Sequence, residues 1–152
     1  PILVEEYGFT LDSEGAGKFR GGMGQTRTYR YLMDDTIVQM RADRKKFQPY
    51  GVNGGQSPNP TRITLNPTNE NKDMPPKFLI DVKKGDVVKI QWPGAGGNGN
   101  PLDRAPDMVL QDVIAEKVSI DRAKDTYGVV IDSNSKTVDA GATETLRAKM
   151  AK

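Results

Sequence analysis

Glycine and proline are concentrated in one part of the chain, and this distribution most constrains the fold. Fourteen of the 16 glycines and nine of the ten prolines precede residue 103. Both residues weaken helices, and proline also interrupts central strands, so this part must be built from short strands, turns and loops. The sequence therefore predicts an α+β fold, with a mainly antiparallel β-sheet module over residues 1–103. A small helical C-terminal subdomain over residues 104–152 should pack on it as one structural unit.

Runs of β-branched and aromatic residues predict five strands in the first part. They cover residues 26–33, 36–42, 62–65, 77–82 and 87–92. An Asn- and Pro-rich loop at residues 67–76 separates the third strand from the fourth. Asp34-Asp35 lies between the first two strands, and Gly85-Asp86 lies between the last two. Such residues favour tight turns, so we expect two hairpins, one at each of these turns.

The second part has helical spacing and helix-capping residues. Pro106 predicts the first turn of one helix, Ser119 caps a second that ends at Gly128, and Asp139 caps a third. A brief strand is expected at residues 129–131. The apolar faces of the three helices are predicted to be Val109, Leu110, Val113 and Ile114; Ile120, Ala123 and Tyr127; and Ala142, Leu146 and Met150.

The composition excludes several classes of function. The chain has 22 basic and 20 acidic residues, a net charge of +2 and no cysteine or histidine. Basic and acidic residues are interspersed along the whole chain, which predicts no nucleic-acid partner. Even the densest basic run, residues 41–46, contains Asp43 and is interpreted as a solvated strand end. No apolar segment reaches the roughly 20 residues of a membrane span, so we expect a cytoplasmic protein without a membrane partner. The chain also lacks the usual general base and thiolate nucleophile.

The first residues indicate that the chain is a piece of a larger subunit. Ile2, Leu3 and Val4 directly follow Pro1, as if the sequence entered in the middle of a strand. We expect these residues to be unburied or to pair with another molecule, because an open strand edge recruits partners.

Three loops carry the candidate chemistry, and the first spans residues 12–24. Its glycines allow backbone N–H groups to turn toward a ligand or allow a neighbouring strand to approach closely; they also suit bulges and turns at a sheet corner. Arg20 could present its guanidinium to a substrate carboxylate or phosphate, within reach of residues 94–99. Asp103 or Asp43 could instead be its structural partner.

The other two loops span residues 94–99 and 43–55. Residues 94–99 satisfy the pattern G-x-G-x-x-G, but Pro93 and Pro101 flank them, which argues against a strand–loop–helix that binds dinucleotides. In the loop at residues 43–55, Asp43 and Arg44 could line a site or pair with each other.

The order of these motifs resembles the C-terminal region of the hydantoinase B/oxoprolinase family. The first loop matches a family motif, with Glu14 in place of a glycine, and residues 43–55 match a second. Gly85 to Ile90, the loop at residues 94–99, residues 100–104 and residues 127–132 follow in the family's order. Asn98 stands where an aromatic residue is common, and Asn100 where an aspartate is common.

The resemblance implies part of an ATP-dependent amidohydrolase subunit that hydrolyses a cyclic amide of the hydantoin or 5-oxoproline kind. Its partners would be a nucleotide-binding hydantoinase A-type subunit and the remainder of its own subunit. The alternatives are a subunit of an ATP-dependent acetone or acetophenone carboxylase and a non-catalytic subunit-docking module. ATP and a divalent metal are implied for the parent complex but not for this chain, in which we expect no catalytic or metal-binding residue. The isolated chain should therefore be inactive. The candidate substrate-binding residues are Arg20, Gly21, Gly22, Gly24, Asp43, Arg44, Gly94, Gly96, Gly97 and Gly99.

Overall fold

A computed structural model describes residues 1–151 and confirms the α+β class, with antiparallel sheets followed by C-terminal helices. A short 3₁₀ helix, Pro101–Asp103, precedes the α-helices. The strands are β1 (Ile2–Phe9), β2 (Gln25–Tyr31), β3 (Thr36–Arg41), β4 (Arg62–Leu65), β5 (Lys72–Asp73), β6 (Lys77–Val82), β7 (Val87–Gln91), β8 (Ile131–Asp132) and β9 (Thr137–Val138). The helices are α1 (Pro106–Ile114), α2 (Ile120–Tyr127) and α3 (Ala140–Met150). None of the helices in residues 1–151 is long and apolar enough to cross a membrane.

The chain divides into two compact units that differ from the division expected at residue 103. The strand unit contains residues 1–10, 24–48 and 60–93, and the loop-and-helix unit contains residues 11–23, 49–59 and 94–152. The difference arises because the glycine loops belong with the helices, so the chain passes between the units several times before residue 103.

The strand unit is built from two antiparallel sheets. The larger sheet has the order β1-β2-β7-β4-β5, and the smaller consists of β3 and β6. The loop predicted at residues 67–76 contains β5, which pairs with β4. One apolar core serves both sheets. Its buried members are Tyr31, Val38, Ala42, Ile63, Met74, Val82, Val88 and Ile90.

Both predicted hairpins are wrong, although the strands themselves are confirmed. β2 pairs with β1 and β7, whereas β3 pairs with β6, so each predicted turn carries the chain from one sheet to the other. Asp35 and Gly85 adopt left-handed conformations in these turns. The Lys84 backbone N–H donates to the Asp34 carboxylate at 2.9 Å, and this hydrogen bond joins the two segments that connect the sheets.

The loop-and-helix unit confirms the predicted capping. Pro106 begins α1, the Ser119 hydroxyl accepts from the Arg122 backbone N–H, and Gly128 ends α2 in the left-handed conformation. Asp139 caps α3 in the same way as Ser119 caps α2. The strand expected at residues 129–131 is shorter, beginning only at Ile131 in β8. The core of this unit consists of Ala16, Val109, Val113, Val118, Ala123, Tyr127, Val129 and Ile131.

Two predicted helix faces require correction. Ile114 is exposed although it lies at the end of the apolar stripe of α1. On α3 the buried residue is Thr143, whose hydroxyl accepts from the Val130 backbone N–H, and Met150 is exposed. The inward face of α3 therefore includes a short polar side chain held by a hydrogen bond.

Candidate functional site

Three loops of the loop-and-helix unit, residues 12–22, 49–56 and 94–99, form one hydrogen-bonded body, which we call the glycine-loop cluster. Phe19 and Asn98 exchange two backbone hydrogen bonds of 2.9 Å, and the Val52 N–H donates to the Gly97 carbonyl. The N–H groups of six glycines donate to backbone carbonyls in this way. These glycines are Gly15, Gly21, Gly55, Gly94, Gly97 and Gly99. Donors that could have turned toward an anionic ligand thus hold the loops together instead.

Close approach of neighbouring backbones explains most glycines of the cluster. A Cβ atom on Gly21 would lie 1.9 Å from the Ala95 carbonyl oxygen, and one on Gly97 would lie 2.0 Å from that of Ala16. No side chain fits at such distances. Similar collisions with backbone atoms occur at Gly15, Gly17, Gly51, Gly55, Gly94 and Gly96. Of the roles considered for the first loop, the structure supports close approach of neighbouring chain segments.

Pro93 and Pro101 predict that no helix begins at residues 94–99, and the structure confirms this. Gly99 has a φ of +79° and leads through Asn100 into the 3₁₀ helix Pro101–Asp103. The Asn100 side chain caps this short helix by accepting from the Leu102 backbone N–H. The described sheets are antiparallel throughout, so the strand–loop–helix of a dinucleotide site is absent from residues 1–151.

Buried charges lie beneath the cluster. Asp112 of α1 accepts hydrogen bonds from Arg20 Nε at 2.9 Å and from Arg104 Nη2 at 2.8 Å. The Asp112 and Arg104 side chains are 8% and 6% exposed. Hydrogen bonding to Asp112 raises the pKa of Arg20. The structural partner of Arg20 is therefore Asp112 rather than Asp103 or Asp43, and Arg104 Nη1 extends the network to the Lys18 carbonyl.

A second buried charge is Glu14 of the first loop. Its Oε1 atom accepts from Arg122 Nε at 2.7 Å and from the Tyr127 hydroxyl at 3.0 Å. Arg122 Nη2 also donates to the Glu14 backbone carbonyl. Burial, together with the charge of Glu14, raises the pKa of Tyr127. Arg122 thus neutralises the buried Glu14 carboxylate and anchors the loop to α2.

The raised pKa of Tyr127 predicts a loss of stability in alkali. The unfolded chain releases the phenol proton near the ordinary pKa of 10.0, while the folded chain retains it. The unfolded state then binds fewer protons, so the free energy of unfolding falls above pH 10, by about 1.4 kcal/mol per pH unit for one proton. Urea denaturation between about pH 9 and pH 11 should show a shallower fall for Tyr127→Phe. The control Tyr50→Phe, at a side chain 80% exposed, should follow the original chain. Identical pH dependence of all three proteins would contradict the assignment.

Part of the glycine-loop cluster is presented to solvent. Phe19 and Val52 are the β-bridge partners of Asn98, one on each side, and both are exposed. Bridge partners project their side chains to the same side, so these three residues form a small surface row. Asn53 Nδ2 donates to Asn98 Oδ1 at 3.1 Å. An aromatic residue at position 98 would therefore extend an apolar row.

The candidate substrate-binding residues fall into two groups. Arg20, Gly21, Gly22, Gly94, Gly96, Gly97 and Gly99 lie together in the glycine-loop cluster. Gly24, Asp43 and Arg44 belong to the strand unit. Their role in binding stays a prediction.

Asp43 and Arg44 lie at a basic groove of about 760 Å³ in the strand unit, which also contains Lys46, Phe47 and Lys77. Both residues are exposed, and their backbone carbonyls accept from Thr61. Within residues 1–151 they do not form an ion pair with each other. The pairing considered for them is therefore wrong, because Arg44 adopts a left-handed conformation with a φ of 62° and both side chains lie in solvent.

The described residues do not fit a metal or nucleotide site. Residues 1–151 contain no group of three or more His, Cys, Asp or Glu side chains that could hold a metal ion. A phosphate cradle needs free backbone N–H groups, whereas those of six glycines of the cluster are donated to carbonyls. No catalytic step through a metal or ATP is therefore assigned to this chain.

Comparison with known proteins places the chain in a family. The sequence model of the hydantoinase B/oxoprolinase family matches residues 1–101. The chain belongs to this family. It is 37% identical over 149 residues to an uncharacterized protein of Methanocaldococcus jannaschii, and 34% identical over 153 residues to caprolactamase subunit beta of Pseudomonas jessenii. Each match covers 97% of this chain and 26% of the relative, so the chain spans about a quarter of their length.

Solved structures agree with the family. The crystal structure of the ATP-dependent caprolactamase from Pseudomonas jessenii matches with a TM-score of 0.81 and 31% identity, over 97% of this chain and 26% of that one. A nucleotide-free acetone carboxylase matches with a TM-score of 0.78 over 99% of this chain and 25% of that one. Its identity is 21%, so this likeness concerns the fold alone.

Proposed function

We propose that the chain is the C-terminal quarter of the B-type subunit of an ATP-dependent cyclic-amide hydrolase. The observation that carries the proposal is the similarity to the ATP-dependent caprolactamase in both sequence and structure, with 31% identity and a TM-score of 0.81 over 97% of the chain. The buried ion pairs and the packed glycines give this region a rigid surface, as a site that positions a small substrate requires.

In this proposal the chain positions the substrate but does not break its bonds. Residues 1–151 contain no group of three or more His, Cys, Asp or Glu side chains that could hold a metal ion, and the chain has no histidine or cysteine to serve as general base or thiolate nucleophile. ATP and a divalent metal would be bound by an A-type subunit and by the rest of the B-type subunit. Phosphorylation of the amide oxygen there would turn an unreactive group into a leaving group.

Arg20 is the residue through which the cluster would contact an anionic oxygen. Two of its nitrogens are engaged, Nε with Asp112 and Nη1 with the Gly21 carbonyl, and both bonds fix the plane of the guanidinium. In our proposal, Nη2 donates to a substrate carboxylate or phosphoryl oxygen. The buried Asp112 thereby acts as the group that aims Arg20.

The isolated chain should release no phosphate above background from ATP and Mg²⁺, with caprolactam, hydantoin or 5-oxoproline present. The complete B-type subunit with its A-type partner should release phosphate only when one of these amides is added. Phosphate release that requires a ketone and bicarbonate would instead place the protein in the carboxylase branch. A complex inactive with every amide and ketone would favour a docking module.

Arg20→Lys in the complete complex tests the site itself. Lysine keeps the charge but lacks the planar fork, so kcat/KM should fall about tenfold or more if Arg20 contacts the substrate. Arg62→Lys, at an exposed residue of β4 outside the candidate site, is the matched control and should leave both kcat/KM and Tm unchanged. A fall in Tm of the Arg20 variant without a change in kcat/KM would limit Arg20 to an architectural role.

A further inference from the structure

The inner face of the larger sheet continues onto β1. Cross-strand partners lie on the same face of a sheet, and Ile2 and Val4 are opposite Tyr31 and Tyr29 of β2. Beyond a bulge, Tyr7 is opposite Arg27 on that same face. Tyr31 is part of the buried core and Tyr29 packs against it. The apolar side chains of β1 are therefore an extension of the core surface.

This extension is uncovered. The smaller sheet has only two strands, and its inner residues Val38 and Val82 belong to the core with Ile63, Val88 and Ile90 of β4 and β7. All eight residues of β1 are exposed, which confirms the prediction for Ile2, Leu3 and Val4. We call Ile2, Val4, Tyr7 and Phe9 the β1 face; each is at least half exposed.

A groove separates the β1 face from β3. It has a volume of about 380 Å³; Ile2, Tyr29 and Tyr31 lie on one side, and residues 36–39 of β3 lie on the other. Within residues 1–151, β3 pairs with β6 alone, so its other edge is open. The Ala42 N–H donates to the Pro76 carbonyl, and the alternation of an antiparallel ladder then directs the backbone groups of Ile37, Gln39 and Arg41 toward the open edge.

We propose that a β-strand from the remainder of a B-type subunit pairs with this edge of β3 and covers the β1 face. The inference rests on the proposed function, since it takes the other three quarters of that subunit as the occupant. We expect apolar residues at every second position of the added strand, because the side chains on one of its faces would pack against the β1 face. It would complete a three-stranded sheet over the five-stranded one. The large share of the relatives that lies outside this chain, about three quarters, supplies ample sequence for such a strand.

Hydrogen–deuterium exchange tests the pairing without any substitution. The amides of Ile37, Gln39 and Arg41 should exchange freely in the 152-residue chain and at least about tenfold more slowly in the complete subunit. The amides of Val38 and Met40 bond to β6 and provide the internal reference. Unchanged exchange at the three edge amides overturns the proposal. Protection that appears in the 152-residue chain alone, and grows with its concentration, also overturns it by showing a second copy as the occupant.

A pair of variants tests whether the added strand covers the β1 face. Val4 and Leu3 are 51% and 48% exposed but lie on opposite faces, and Leu3 shares its face with Arg30. Val4→Glu should reduce the protection of the edge amides about tenfold or more in the complete subunit, because a carboxylate would be buried under the strand. Leu3→Glu should not. Equal effects of the two substitutions would overturn the proposal.

The exchange experiment is independent of the activity assay. A complete subunit that supports amide-dependent phosphate release but leaves the β3 edge unprotected refutes the docking inference alone. A protected edge in an inactive complex refutes the proposed activity and leaves the interface established.

Discussion

Replacing Gly21 by alanine should lower the free energy of unfolding by about 3 kcal/mol, the upper end of the usual cost of overpacking and a larger loss than most single substitutions cause. A Cβ atom at this position would lie 1.9 Å from the Ala95 oxygen and 2.5 Å from the Ala95 carbonyl carbon. Both are backbone atoms held by the hydrogen bonds of Ala95 with Gly15 and Gly22. Two loops would have to separate to admit the methyl group.

The next residue provides a matched control. A Cβ atom on Gly22 would have nothing within 4 Å, and neither glycine has a positive φ. Gly22→Ala should therefore change the free energy of unfolding by less than about 0.5 kcal/mol, or stabilise the chain by restricting the unfolded state. Urea denaturation of both variants at neutral pH measures the difference. Equal losses at Gly21 and Gly22 would show that backbone freedom, rather than close approach, explains these glycines.

The local features of the fold could be predicted from the sequence because a few neighbouring residues determine them. Ser119 and Asp139 bond to backbone N–H groups three residues ahead, and Gly128 alone tolerates the left-handed end of α2. Strand positions followed from β-branched residues in the same way. These signals do not depend on where the rest of the chain lies.

Strand pairing could not be predicted in this way. The segments 77–82 and 87–92 have the alternation of a hairpin, but the same alternation suits two strands that face each other across a core. Val82 and Val88 are both buried in the common core, as either arrangement would allow. Only contacts with β1, β3 and β4, distant in sequence, decide between them.

The buried charges of the site were missed for the same reason. Asp112 lies 92 residues from Arg20, and Arg122 lies 108 residues from Glu14. Two signals could have revealed them. Asp112 interrupts the apolar stripe between Val109 and Val113, where a carboxylate needs a cationic partner. Glu14 lies among the glycines of a tightly packed loop, where a carboxylate also needs a cationic partner.

Replacing Asp112 by alanine should cost about 3 to 5 kcal/mol, because it leaves two guanidinium groups without their shared carboxylate. Arg104, at 6% side-chain exposure, cannot turn to water, and Arg20 is only 17% exposed. The matched control is Asp73→Ala, which removes a carboxylate from an ion pair of 2.6 Å with Lys45 at a side chain 74% exposed. That substitution should change the free energy of unfolding by less than about 1 kcal/mol, since water replaces the lost partner. Chemical denaturation of the two variants side by side gives the comparison. A loss at Asp112 no larger than that at Asp73 would mean that the buried network does not hold the glycine-loop cluster in place.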